Sequence, residues 1–140
     1  MKYVLGICFL WLTLVGCDGS KLKETPDSQF IGTWKLVDRG MLEGLEVKIS
    51  KDEKGNLIGL VSKLNDNKYV QLFMEVGDKF VSGIKRNSNF EFVLSEKRIA
   101  APLFSSYGQS TTDEFKVRFK DKNTIVLGAN GTGGRYEKLN

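Results

Sequence analysis

Any chemistry in this chain has to be done without imidazole. Among its 140 residues there is no histidine, and the cysteines are Cys8 and Cys17. That removes zinc sites built from Cys and His, Cys–His nucleophilic pairs and Ser-His-Asp triads. Carboxylates that are neighbours in sequence occur at Asp52-Glu53 and Asp113-Glu114. Successive side chains of a strand point to opposite faces, so such neighbours diverge and make poor acid–base pairs. Glycines crowd residues 128–134, yet no helical pattern follows them, and a phosphate cradle needs a helix N-terminus. No catalytic residue, metal site or cofactor site emerges, and the chain is read as a non-enzyme. The reactive group that does stand out is the Cys17 thiol, because of what precedes it.

Met1-Lys2 supplies a short positive start, and residues 4–15 carry no charge. An apolar run of that length, ending in small residues, has the layout of a secretory signal. It is too short for a membrane-spanning helix, which needs about 20 apolar residues. Leu14, Val15, Gly16 and Cys17 resemble the lipobox of bacterial lipoprotein precursors. That resemblance implies a signal peptide over residues 1–16, cleaved before Cys17. It also implies acyl groups such as palmitate on the Cys17 thiol and on the new amino terminus. The product would be anchored to a bacterial membrane through Cys17, with its domain facing the periplasm or the exterior. Asp18 matches the signal that retains some enteric-type lipoproteins in the inner membrane, a rule other bacteria do not share, so inner and outer membrane both stay open. Cys8 would leave with the signal and Cys17 would carry lipid, so no disulfide would hold the folded domain.

Residues 18–29 are polar, with one apolar side chain (Leu22) and Pro26. They are expected to form, with Cys17, an unstructured tether reaching up to about 40 Å from the bilayer. The charges beyond it are interspersed, and the formal net charge of +4 reflects no basic stripe. Nucleic acid is not an expected partner.

Residues 30–140 read as one strand after another, in segments 30–37, 45–50, 57–64, 70–76, 79–84, 90–94, 115–120, 124–127 and 135–139. The alternation is clearest at Leu45, Val47 and Ile49, and at Phe115, Val117 and Phe119. Short strands punctuated by turns predict an all-β domain, an antiparallel up-and-down barrel of about eight or nine strands. The two long connections are residues 38–44 and 101–112.

Gly32-Thr33-Trp34, in the first of these strands, resembles the Gly-X-Trp signature of lipocalins and related calycins. In that superfamily the Trp closes the barrel floor beneath an Arg from the end of the chain. The resemblance implies a structural pair of Trp34 and Arg135. The two ends of the domain also resemble intracellular fatty-acid-binding proteins, but adjacent Arg135 and Tyr136 do not reproduce their Arg-X-Tyr carboxylate clamp. Leu103, Phe104 and Tyr107, apolar residues in the longest non-strand segment, are candidates for a ligand or partner portal. The expected function is binding of a small apolar ligand inside the barrel of a membrane-anchored, lipocalin-like protein in the cell envelope. The competing reading is a filled barrel that acts through its loops on an envelope protein, as an inhibitor, immunity protein or assembly factor. Cavity volume separates them, since a lined pocket of about 300 Å³ or more favours a ligand and a solid core favours the partner.

Overall fold

A computed structural model describes residues 24–140. The Cys17 site, the signal segment and the start of the tether lie outside these residues. Eight antiparallel strands close into an up-and-down barrel in which each strand pairs with its sequence neighbours and the first pairs with the last. They are β1 (Gly32–Val37), β2 (Glu46–Lys51), β3 (Leu57–Lys63), β4 (Lys79–Arg86), β5 (Glu91–Lys97), β6 (Thr112–Asp121), β7 (Thr124–Leu127) and β8 (Arg135–Lys138). The interior is packed with side chains that the two-residue period turns inward, among them Trp34, Leu36, Val47, Ile49, Phe92, Leu94, Ile125 and Leu127. The alternation in 45–50 and 124–127 thus marks real strand faces.

Two segments differ from the sequence expectation. Residues 70–76 are not a strand. Lys68–Phe73 forms a short helix, α1. Val70, Leu72, Met74 and Val76 satisfy a strand period, but Val70 and Met74 are also four apart, the spacing of one helix face. The cap decides between them. The Asn67 side chain accepts hydrogen bonds from the backbone N–H groups of Tyr69 (2.9 Å) and Val70 (3.2 Å), meeting donors that the first helical turn leaves free. Val70 and Met74 are buried, while Leu72 and Val76 are exposed. One expected strand is lost, and the count settles at eight.

The folded domain also begins earlier than expected. Asp27–Phe30 forms a 3₁₀ turn whose Phe30 is fully buried. The Phe30 ring lies 4.7 Å from those of both Phe92 and Phe119. Glu24 and Asp27 pair with Arg86 at 3.2 and 2.6 Å, and the Thr25 N–H donates to the Asn89 carbonyl at 2.9 Å. Residues 24–29 therefore belong to the folded domain.

Alternating strand direction sorts the connections between the two ends of the barrel. Tight turns link β2 to β3, β4 to β5 and β6 to β7 at one end, where the described chain also begins and ends; we call it the floor. The longer connections gather at the other end, the mouth. They comprise a 3₁₀ turn at Gly40–Leu42, α1, a second short helix α2 (Ala101–Ser106) and a 3₁₀ turn at Ala129–Gly131.

Candidate functional site

Trp34 lies at the floor, and the cation over its ring is not the expected Arg135. Trp34 is fully buried, and its indole N–H donates to the Phe30 carbonyl at 2.7 Å. The cation over its ring is Lys138, whose Nζ lies 5.3 Å from the ring centroid. Register explains the substitution. Trp34 pairs with Lys138 across the β1–β8 ladder, whereas Arg135 pairs with Val37 nearer the mouth. Arg135 instead donates to Asp38 and, at 2.8 Å, to Glu137. The Glu137 hydrogen bond is the main reason its pKa rises above the ordinary guanidinium value. Gly32 makes the floor possible. Its φ is +147°, and a Cβ there would come within 2.8 Å of Lys138 Cε and 2.7 Å of the Asn140 carbonyl oxygen.

The mouth holds a buried charged group, of which Arg39 has no local signature in the sequence. Arg39, from the β1–β2 connection, turns inward over the barrel and donates to both Glu96 oxygens, at 2.8 and 2.5 Å. Tyr136 donates its hydroxyl to Glu96 Oε1. The Arg39 and Glu96 side chains keep only 7% and 4% exposure. The guanidinium also lies over the rings of Phe115 at 5.3 Å and Tyr136 at 5.9 Å. Burial pulls the Arg39 pKa down, but its hydrogen bonds and charge pairing with Glu96 outweigh this and leave it above the ordinary value. Burial, followed by the Glu96 charge, pushes the Tyr136 hydroxyl well above its ordinary value. Here too a glycine makes room: at Gly134, φ +84°, a Cβ would lie 2.5 Å from Arg39 Cδ. A bidentate pair with its remaining acceptor filled by Tyr136 is a satisfied network, and all three groups are occupied with each other.

Two adjoining clefts open at this end. One, of about 560 Å³, lies between α1 and α2 and reaches the core at Val61, Met74 and Phe80. The other, of about 540 Å³, runs over Arg39, Glu96 and Phe115 toward Tyr69 and Phe104. Phe73, Lys97, Arg98, Ile99 and Ala100 line both. Arg98 braces the wall between them, pairing with Asp113 at 2.9 Å and lying 5.2 Å from the Phe104 ring centroid. Ala100 adopts a left-handed conformation (φ 59°) just before α2, a strained position for a residue with a Cβ.

The three portal residues separate. Phe104 lines the second cleft, while Leu103 and Tyr107 are exposed and line neither. The paired carboxylates serve structure. Asp52 accepts the backbone N–H groups of Lys54 (2.9 Å) and Asn56 (2.8 Å) within its turn, and the Asn56 contact is the main cause of its lowered pKa. Asp113 braces Arg98 beside the cleft, and Glu114 is exposed. Among the described residues no three metal-ligating side chains converge. Arg39, Glu96 and Tyr136 were not singled out as a site by sequence reasoning. The signal for Glu96 was present, because it continues the inward phase of Phe92 and Leu94 along β5.

No family model matches this chain, and neither the curated proteins nor the solved structures yield a match.

Proposed function

We propose that the protein is a bacterial envelope lipoprotein, anchored through acylated Cys17, whose lipocalin-like barrel binds a small apolar ligand at its mouth. The observation that carries this reading is the pair of adjoining clefts. Each exceeds the roughly 300 Å³ expected of a ligand pocket; the first reaches the core at Val61, Met74 and Phe80, and the second is walled by Leu42, Ile99 and Phe115, which pack against that core, together with Arg39, Glu96 and Asp113. The ligand would lie above the filled barrel, under α1 and α2, rather than in its centre. Phe73 is the shared wall. In residues 18–140, a fluorescent fatty-acid probe should bind saturably, and Phe73→Ser should weaken that binding while leaving thermal melting nearly unchanged. Absence of saturable binding by the wild-type domain would reject the ligand reading.

A second reading, docking of an envelope protein, is favoured by the filled barrel interior and by the surface of the mouth. Met41, Tyr69, Leu72, Leu103 and Tyr107 are all exposed on the mouth connections. Aromatic and large apolar side chains of this kind dominate the energetics of interfaces.

The anchor itself has a direct check. Cys17→Ser should leave an uncut precursor that no longer partitions into detergent; unchanged partitioning would remove the lipoprotein reading.

A further inference from the structure

The floor has exposed apolar residues of its own that neither reading uses. Ile31 follows the 3₁₀ turn that plugs the barrel, Phe90 lies in the β4–β5 turn, and Leu139 follows β8; all three are exposed. Phe90 lies beside the point where the described chain enters the domain, and Ile31 and Leu139 lie across the floor from it, at the β1–β8 seam. The Phe90 turn is the one that holds Thr25, through the Asn89 carbonyl. Leu139 donates its N–H to the Thr33 carbonyl at 2.8 Å, two residues beyond Ile31. Apolar side chains spaced around the floor rim in this way gain free energy wherever a surface covers that end.

We infer that this surface is the anchoring bilayer, so that the protein stands on its floor with the mouth clefts directed away from the membrane. The inference rests on the acylation of Cys17 proposed above. Chain length supplies the argument. Glu24 is fixed to the floor by Arg86, and only residues 18–23 separate it from Cys17. Even fully extended, that link spans at most about 25 Å. The floor is therefore held close to the headgroups. β6 has ten residues and measures roughly 33 Å along the strand, which sets the mouth a further barrel length away. Ile31, Phe90 and Leu139 then enter the interfacial layer, where apolar side chains gain by leaving water. A cleft held in this way exchanges its contents with the aqueous compartment, or with a partner arriving from it, and not with the leaflet that carries the anchor.

Single cysteines can report this orientation, because the mature chain would have no thiol besides acylated Cys17. Lys54→Cys and Lys122→Cys mark two floor turns, and Gln109→Cys marks the mouth. Each purified lipoprotein carries a fluorescent donor and is reconstituted into vesicles of phosphatidylethanolamine and phosphatidylglycerol that contain an acceptor-labelled lipid. Energy transfer should be at least about twofold higher from the floor labels, since one strand length separates the ends. Adding Ile31→Ser, Phe90→Ser and Leu139→Ser should narrow the difference. Equal transfer from both ends, or stronger transfer from Gln109→Cys, in protein that mass spectrometry shows to be acylated, would overturn the orientation and leave the anchor standing. Absence of transfer from every label, together with an unmodified Cys17, would overturn the anchor and the orientation with it.

Discussion

Floor and mouth use one device to different ends. At each, a glycine whose Cβ would collide leaves room for a long cationic side chain, which then lies over an aromatic ring. Gly32 admits Lys138 over Trp34, and Gly134 admits Arg39 over Phe115 and Tyr136. What differs is the counter-charge. Lys138 makes no ion pair among the described residues, and the Trp34 indole is satisfied by a backbone carbonyl. Arg39 brings a buried carboxylate and a buried hydroxyl with it. The floor is thus held by packing, with a cation laid across it. The mouth is held by a polar network in which each member depends on the others.

The largest effects should be similar in size and opposite in how they can be rescued. Trp34→Ala removes a fully buried indole and should cost about 3–5 kcal/mol. Glu96→Leu strands the Arg39 charge in a buried site and should cost about 3–5 kcal/mol as well. Adding Arg39→Met to Glu96→Leu should restore the part of the second loss that the stranded charge causes, leaving the cost of a Tyr136 hydroxyl without its acceptor. No partner substitution should restore the first. Urea unfolding of the single and double variants measures both. A double variant as unstable as Glu96→Leu alone would show that the mouth, too, is held chiefly by packing.

A smaller effect locates the floor cation. Lys138→Ala should cost about 0.5–1 kcal/mol, the scale of a cation over a ring, and a double-mutant cycle should couple it to Trp34. Arg135→Ala, which breaks exposed pairs, should show no coupling to Trp34. Coupling of Trp34 to Arg135 and not to Lys138 would reverse the assignment made from register.

The mouth should also respond to alkali through its buried hydroxyl. In the unfolded chain Tyr136 loses its proton near pH 10, whereas in the folded barrel it retains the proton to higher pH. Above about pH 10 the unfolded state therefore binds fewer protons, and stability falls as pH rises toward the folded value. Below pH 10 this contribution is fully present. Tyr136→Phe should flatten the decline in melting temperature above about pH 10; an unchanged slope would assign it to other groups.

The smallest effect belongs to the exposed rim. Leu103→Ser with Tyr107→Ser should alter stability by no more than about 0.5 kcal/mol. A large drop in melting temperature would mean that these side chains pack in solution.

What the sequence disclosed follows the same division between local and non-local causes. Strands whose inner faces alternate cleanly, such as β2, β6 and β7, were legible because a two-residue period is a local property. The barrel order was legible from the short turns. Residues 68–76 were not, because Val70, Leu72, Met74 and Val76 fit a strand and Val70 with Met74 fits a helix, and the tie was broken by Asn67. Lys138 was missed in favour of Arg135 because the register of β8 against β1 is set by ring closure and the Ala129–Gly131 turn, not by β8 itself. Arg39 carried no signal, since a loop residue has no period to place it. Glu96 carried one, as a carboxylate in phase with Phe92 and Leu94.

Ring closure has one more consequence, and it concerns time. The other ladders join successive strands, but the β1–β8 ladder joins Trp34 to Lys138, roughly a hundred residues apart. Bringing such distant segments together costs about 2 kcal/mol more in chain entropy than closing a ten-residue hairpin. The hairpins can therefore form early, and the last ladder sets the pace of folding. Until Arg135–Lys138 docks, β1 and β7 each present unpaired backbone to any neighbouring chain. A protein cut short before residue 135 would keep those two edges permanently and would aggregate through them.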